Sequence, residues 1–400
     1  MARPDPHSYA DDMHPGTRHI DLVLDVDFAA RRLAGTATLH LDDTRGGPLH
    51  LDTRALEILS ATDGNGAPVP FSLDPPDAVL GARLKLDLPA GMNRVTLRYR
   101  TSPDASALQW LDPAQTAGGK HPYLFSQCQS IHARSMVPCQ DSPRLRVTYK
   151  AELNVPAPLV AVMAAAPRGT RPLPDGRTAY LFEMPQPIPS YLFALAVGEL
   201  QGRDLSPRSR VYAEPALLDT AAHEFGGVEA MITAAEKMFG PYPWERFDML
   251  VMPPSFPFGG MENPRLTFLT PTLLAGDRSL VNVVIHELAH SWTGNLVTNA
   301  TLEHFWLNEG FTVYAERRIL EAMEGAEAVA MHAAIGLSGL KEDMARLEGR
   351  FTRLQTHLEG VDPDEVYSQV PYEKGCLLLQ RIEVATGREA FDRFLRTYIS

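Results

Sequence analysis

Two histidines four residues apart, in the run His286-Glu287-Leu288-Ala289-His290, restrict this 400-residue chain more than any other feature. Eighteen intervening residues then lead to Glu309, in Trp306-Leu307-Asn308-Glu309-Gly310. Residues i and i+4 of a helix share one face, so the two imidazoles converge on one point. Two His and one Glu make three protein ligands and leave the fourth tetrahedral position to water, as in a catalytic rather than a structural zinc site. One Zn2+ per chain is therefore expected, held by His286, His290 and Glu309, with Glu287 placed to act on that water as a base. With 13 His in 400 residues, the five-residue pattern arises by chance roughly 0.02 times per chain, and about 0.001 times with Glu required at one later position. The flanking Leu280, Val281, Val283, Val284, Ile285, Leu288 and Ala289 are apolar nearly all round, which predicts a buried helix. Buried His and Glu need partners, and a metal provides one.

The rest of the composition excludes more than it identifies. A net charge of −12 argues against a nucleic-acid partner or an anionic membrane surface. No run of eighteen apolar residues exists, and Met1 to His7 lacks the apolar core of a secretory signal. Cys128, Cys139 and Cys376 are odd in number and match no zinc spacing, so reduced cysteines in a cytoplasmic protein are expected. A second metal on Cys128, His132 and Cys139 is disfavoured.

Along the chain, apolar residues alternate with polar ones at Ile20, Leu22, Leu24, Val26 and Phe28 and again at Leu145, Val147, Tyr149, Ala151 and Leu153. A period of two broken by Gly-, Pro- and Asp-rich turns predicts an antiparallel β saddle or sandwich over residues 1–200. After Gly198 the period lengthens. A helix is expected from about Thr220 to Phe239, strands at 247–252 and 266–269, and helices near 279–293, 304–323, 326–348 and 372–386. Phe391, Phe394, Leu395 and Tyr398 also have helical spacing. Residues 201–400 thus read as an α+β domain carrying the metal on two of its helices.

Other residues carry chemistry more ambiguously. Gly259 and Gly260 let a peptide backbone approach, and Glu262 offers a carboxylate to a cation or is an exposed acid in a glycine-rich turn. Tyr372 donates to an oxyanion or simply packs. Tyr367 and Asp364, just upstream, share that ambiguity. Glu316 lies two turns beyond Glu309 on the same face, either supporting a ligand histidine or solvated.

Taken together, these blocks resemble the zinc metallo-aminopeptidases (gluzincins) of the leukotriene A4 hydrolase and aminopeptidase branch. The resemblance runs from Thr17-Arg18-His19 through His121 to Gln129, Pro138-Cys139-Gln140-Asp141, the Gly259 block and His286 to Thr298, to Tyr372-Glu373-Lys374-Gly375. It implies a saddle-like β-domain, a thermolysin-like catalytic domain incomplete at its C-terminus, and a C-terminal helical domain that this chain lacks. Carried over residue by residue, it makes Tyr372 the oxyanion donor, while Glu262 and Gln129 hold the substrate's α-amine. Gln127, Cys128 and Gln129 line the first pocket, and Pro257, Phe258, Gly259, Gly260, Met261 and Glu262 run beside the peptide. Phe258 stands where the best-known member has Tyr, which implies a more apolar pocket.

The expected function is removal of the N-terminal residue from short peptides with a free N-terminus. A second activity on a leukotriene-type epoxide, through Asp364 and Tyr367, is the alternative, and a non-catalytic peptide-binding scaffold the remaining one.

Overall fold

The computed structural model describes residues 4–13, 15–42 and 46–399. They divide into two compact units, one of residues 1–200 with 359–361, the other of 201–358 with 362–400.

In the first unit, alternation builds the sheets. A seven-stranded sheet runs in the order Ala166–Pro172, Thr178–Pro189, Arg146–Val155, Thr17–Asp27, Arg32–Leu41, Arg94–Arg100 and Glu57–Asp63. Ile20 faces Leu39 on one neighbour and Tyr149 on the other, and Leu22 faces Ala37 and Ala151. All six are buried, so every second residue feeds one core. A four-stranded and a three-stranded sheet complete the unit. The described helices here are short 3-10 turns, at Pro113–Gln115, Ala133–Ser135 and Ser190–Leu192.

The antiparallel expectation fails at one pair, because Thr17–Asp27 lies parallel to Arg146–Val155. A period of two reports which face is buried, not strand direction. More than a hundred residues separate the two strands, ample for the crossover a parallel pair needs.

Arg134, fully buried, holds the start of the chain to this unit. Its guanidinium donates to Asp141 Oδ2 (2.9 Å), Leu80 O (2.9 Å) and His7 O (2.6 Å).

The second unit has a five-stranded sheet in the order Gln201–Ser206, Ser209–Ala213, Met249–Val251, Thr267–Leu269 and Gly260–Met261. The two inner pairings are parallel and the two outer ones antiparallel, so Gly260–Met261 forms an edge. Helices follow: α1 (Leu218–Glu224), α2 (Val228–Phe239), α3 (Asn282–Ala289), α4 (Trp306–Glu324), α5 (Ala326–Arg346), α6 (Gly375–Thr386) and α7 (Arg388–Ile399).

Three helix boundaries differ from expectation. The helix expected from Thr220 to Phe239 is split into α1 and α2 by a 3-10 turn containing Gly226 and Gly227, which relax the backbone there. α3 is shorter than 279–293. Asp277 accepts from the Ser279 amide (2.9 Å) in a turn that delays the start, and Gly294, at φ +128°, follows its end. Leu280, expected in the helix, lies before it and is 41% exposed, and within α3 full burial begins at Val284. Finally, Val370–Lys374 winds as a wide π turn before α6. No described helix is long and apolar enough to cross a membrane.

Candidate metal centre and active site

α3 places His286, Glu287 and, at its last turn, His290; α4 places Glu309 opposite them. The His286 and His290 Nε2 atoms lie 3.1 Å apart, and each is 3.4 Å from Glu309 Oε2. Three donor atoms therefore surround one point.

Their outward atoms are already committed. His286 Nδ1 donates to Glu316 Oε2 (2.9 Å), because a carboxylate only accepts. His290 Nδ1 donates to the Thr293 carbonyl (3.1 Å), with Thr312 Oγ1 3.0 Å away. In its neutral form, the one a metal binds, each imidazole is thereby fixed with its Nε2 lone pair facing inward. Glu309 Oε2 is buried without a hydrogen bond. An orphaned carboxylate oxygen beside two nitrogen lone pairs is a donor set that fits zinc.

The charges agree with that fit. Burial would raise the Glu309 carboxyl, yet His290 and His286 hold it down to about 2. Burial would lower the His290 imidazole, yet Glu262 and Glu309 raise it to about 9. Positive charge is favoured at the centre of this cluster, and a divalent cation supplies it.

Glu287 is buried beside the trio, and burial raises its carboxyl to about 7 against the pull of the imidazoles. Its side chain lies against Gly260 of the edge strand, where a Cβ would come within 2.6 Å of Glu287 Cγ and Cδ. Glu262, two residues along, is buried, and its ligand atom falls within 4.8 Å of those of Glu287 and His290. Burial raises its pKa as well, against the His290 charge. Tyr372 stacks on the His286 ring (centroids 6.2 Å, 22°).

Residues 224–400 match the peptidase family M1 domain, and 16–192 match the peptidase M1 N-terminal domain. Leukotriene A-4 hydrolase of Xenopus laevis is 45% identical over 99% of this chain and 67% of its own length. The chain belongs to peptidase family M1. Leucine aminopeptidase 2 of Yarrowia lipolytica is 43% identical over 98% of this M1 chain and 62% of its own. Yeast leukotriene A4 hydrolase, solved with bestatin, superposes with a TM-score of 0.92 at 40% identity, covering 99% of this chain and 63% of that one. The M1 chain thus spans about two thirds of the length of these relatives.

The remaining candidates of the M1 chain fall in three places. Tyr367 joins the centre: its hydroxyl bonds that of Tyr372 (2.5 Å), and its ring packs against Phe258 (6.2 Å) and Phe305 (5.8 Å). Asp364 sits on a 3-10 turn with its side chain exposed. Pro257 and Gly259 are exposed, and Met261 is buried in the edge strand. Gln127, Cys128 and Gln129 are buried in the first unit, after its strand Tyr123–Ser126. Among the described residues, Cys128, His132 and Cys139 form no metal-type cluster; His132 Nδ1 bonds Ser106 instead.

Several contributors escaped the sequence reading. Thr312, fully buried, orients His290, and Asn295 Nδ2 donates to the Glu262 carbonyl (2.7 Å). Glu309, Thr312 and Glu316 form an i, i+3, i+7 stripe on α4, so the same helical spacing that singled out Glu316 could have found Thr312.

Proposed function

We propose that this chain is a zinc aminopeptidase that removes one residue at a time from the free N-terminus of short peptides. The observation that carries the reading is the convergence of His286, His290 and Glu309 within 3.4 Å, with Glu287 on the same turn of α3. Zinc held by those three would polarise the scissile carbonyl and acidify water.

The chain's own groups account for the remaining chemistry. Glu287, buried beside the metal ligands, accepts a proton from the attacking water and passes it to the leaving amine. The Tyr372 hydroxyl donates to the oxyanion as it forms. Glu262 pairs with the α-ammonium of the substrate, so register is set from the N-terminus and cleavage stops one residue in. The edge strand Gly260–Met261 supports this, since an extended peptide can pair with its open side and bring the amine to Glu262. Phe258 and Tyr367 offer aromatic surface for the first side chain. Relatives named leucine aminopeptidase point the same way.

An aminoacyl-anilide panel tests the proposal. Glu287→Gln should keep stoichiometric zinc while kcat falls by about 10²–10⁴-fold. A metal-loaded, fully active Glu287→Gln protein would refute the base assignment. Equal cleavage of N-acetylated and free peptides would refute exopeptidase action.

A second reading has one support, the 45% identity to a leukotriene A-4 hydrolase, with Tyr367 beside Tyr372. Under it, the chain also opens a leukotriene-type epoxide through Asp364 and Tyr367. Absence of a dihydroxy product on incubation with such an epoxide would end it.

A further inference from the structure

We infer that Arg317 and Glu373 form a positioning pair that sets the Tyr372 hydroxyl against the metal centre; the inference rests on the oxyanion role proposed for Tyr372. Tyr372 itself is held by ring contacts and one hydroxyl bond, with no charged or backbone partner for its hydroxyl among the described residues. It lies on the wide turn Val370–Lys374, its ring is only half buried, and its hydroxyl bonds that of Tyr367, which is 37% exposed. An oxyanion donor must hold its place to within about 0.5 Å. Ring contacts to His286, Phe305 and Tyr367 orient the Tyr372 ring, but the position of its hydroxyl still follows the turn that carries it.

The next residue is anchored differently. Glu373 is buried, and both its carboxylate oxygens accept from Arg317 Nη2 at 2.7 Å. Arg317 is also buried and donates through Nη1 to Cys376 Sγ (3.2 Å) at the start of α6. On α4 it directly follows Glu316, the group that orients His286. One helix therefore grips the ligand His286 with one residue and the tyrosine's turn with the next.

Two glycines close the grip. A Cβ at Gly336 on α5 would lie 2.7 Å from Glu373 Oε2, so α5 crosses directly over the carboxylate. A Cβ at Gly310, adjacent to Glu309, would lie 2.8 Å from Gly375 Cα, so α4 also meets the end of the turn backbone to backbone. Stability is a weak reason for such a pair, because burying two charges offsets most of their attraction. Geometry is a stronger one, since Nη2 shared by both carboxylate oxygens and Nη1 on Cys376 Sγ tie one planar guanidinium to two points flanking the turn's end.

The test is a four-protein cycle of wild type, Glu373→Gln, Tyr372→Phe and the double variant, assayed on one aminoacyl-anilide with zinc content measured for each. Glu373→Gln should lower kcat by about 10- to 100-fold, the loss expected of a misplacement near 1 Å, with KM and zinc unchanged. In the Tyr372→Phe background the same change should lower kcat less than about twofold, because the group it positions is already gone. A full further loss in that background, with Tyr372→Phe itself impaired, overturns the pair's role and leaves the function standing. A Tyr372→Phe protein with wild-type kcat overturns the tyrosine's role and the pair's with it. If Glu373→Gln shows no cooperative thermal transition, Gly336→Ala displaces the same carboxylate without removing a charge, and the same criteria apply to it.

Discussion

Gly260→Ala separates the placement of the proposed base from the stability of the fold. A Cβ at Gly260 would come within 2.6 Å of Glu287 Cγ and Cδ, whereas ordinary contact begins at 3.4 Å. The Glu287 side chain must therefore retreat by about 0.8 Å or more, and a misplacement near 1 Å costs about 10²-fold in rate. Stability should barely change. What yields is a side chain, at about 0.5–1.5 kcal/mol for an off-rotamer torsion. Replacing Gly by Ala returns about 0.4–1 kcal/mol through the unfolded chain, and Gly260 is not among the residues at positive φ. The expected protein melts within about 3 °C of wild type, holds one zinc, and has kcat lowered about 10- to 100-fold. Anilide kinetics, elemental analysis and a thermal melt read all three. A kcat within about twofold of wild type, or a loss that tracks lost zinc, would show that the position of Glu287 is not what limits turnover.

Other perturbations read other parts of the molecule. Glu316→Gln takes the charged acceptor from His286 Nδ1 and should weaken zinc affinity about 10- to 100-fold, whereas Thr312→Val leaves the Thr293 carbonyl on His290 Nδ1 and should weaken it less, both measured by competition with a chromophoric chelator. Unchanged affinity after Glu316→Gln would show that the Glu316 charge does not tune His286 as a ligand. Arg134→Met leaves Asp141 and Asp52 buried without their cation, and denaturant melts should show a loss of about 3–5 kcal/mol. A loss below about 1 kcal/mol would mean that those carboxyls find other partners. Removing zinc with a chelator should abolish hydrolysis and lower the melting temperature, both restored by re-addition, since a ligand of the folded state stabilises by mass action. Activity that survives chelation would contradict the metal reading.

What could be read from sequence followed from local periodicity. The four-residue step from His286 to His290 placed both imidazoles on one face wherever α3 went, and the seven-residue step from Glu309 to Glu316 did the same on α4. Alternation at Ile20, Leu22 and Leu24 likewise marked buried faces, while leaving the parallel pairing with Arg146–Val155 open. Helix ends were the weaker reading. The start of α3 fell at Asn282 rather than near 279, after a side-chain turn in which Asp277 accepts from the Ser279 amide.

The sequence by itself determined which side chains stand together along one helix, because a helical repeat is a property of neighbouring residues. Only tertiary structure decided that α4 meets α3, bringing Glu316 to His286 across 30 positions, and meets the turn before α6, bringing Arg317 to Glu373 across 56. It also decided that the edge strand lays Gly260 on Glu287. Those meetings depend on how helices and sheet share one buried core, and on glycines at the crossings that let backbone approach side chain. No period along the chain records such an encounter, since its partners are set by packing rather than by spacing.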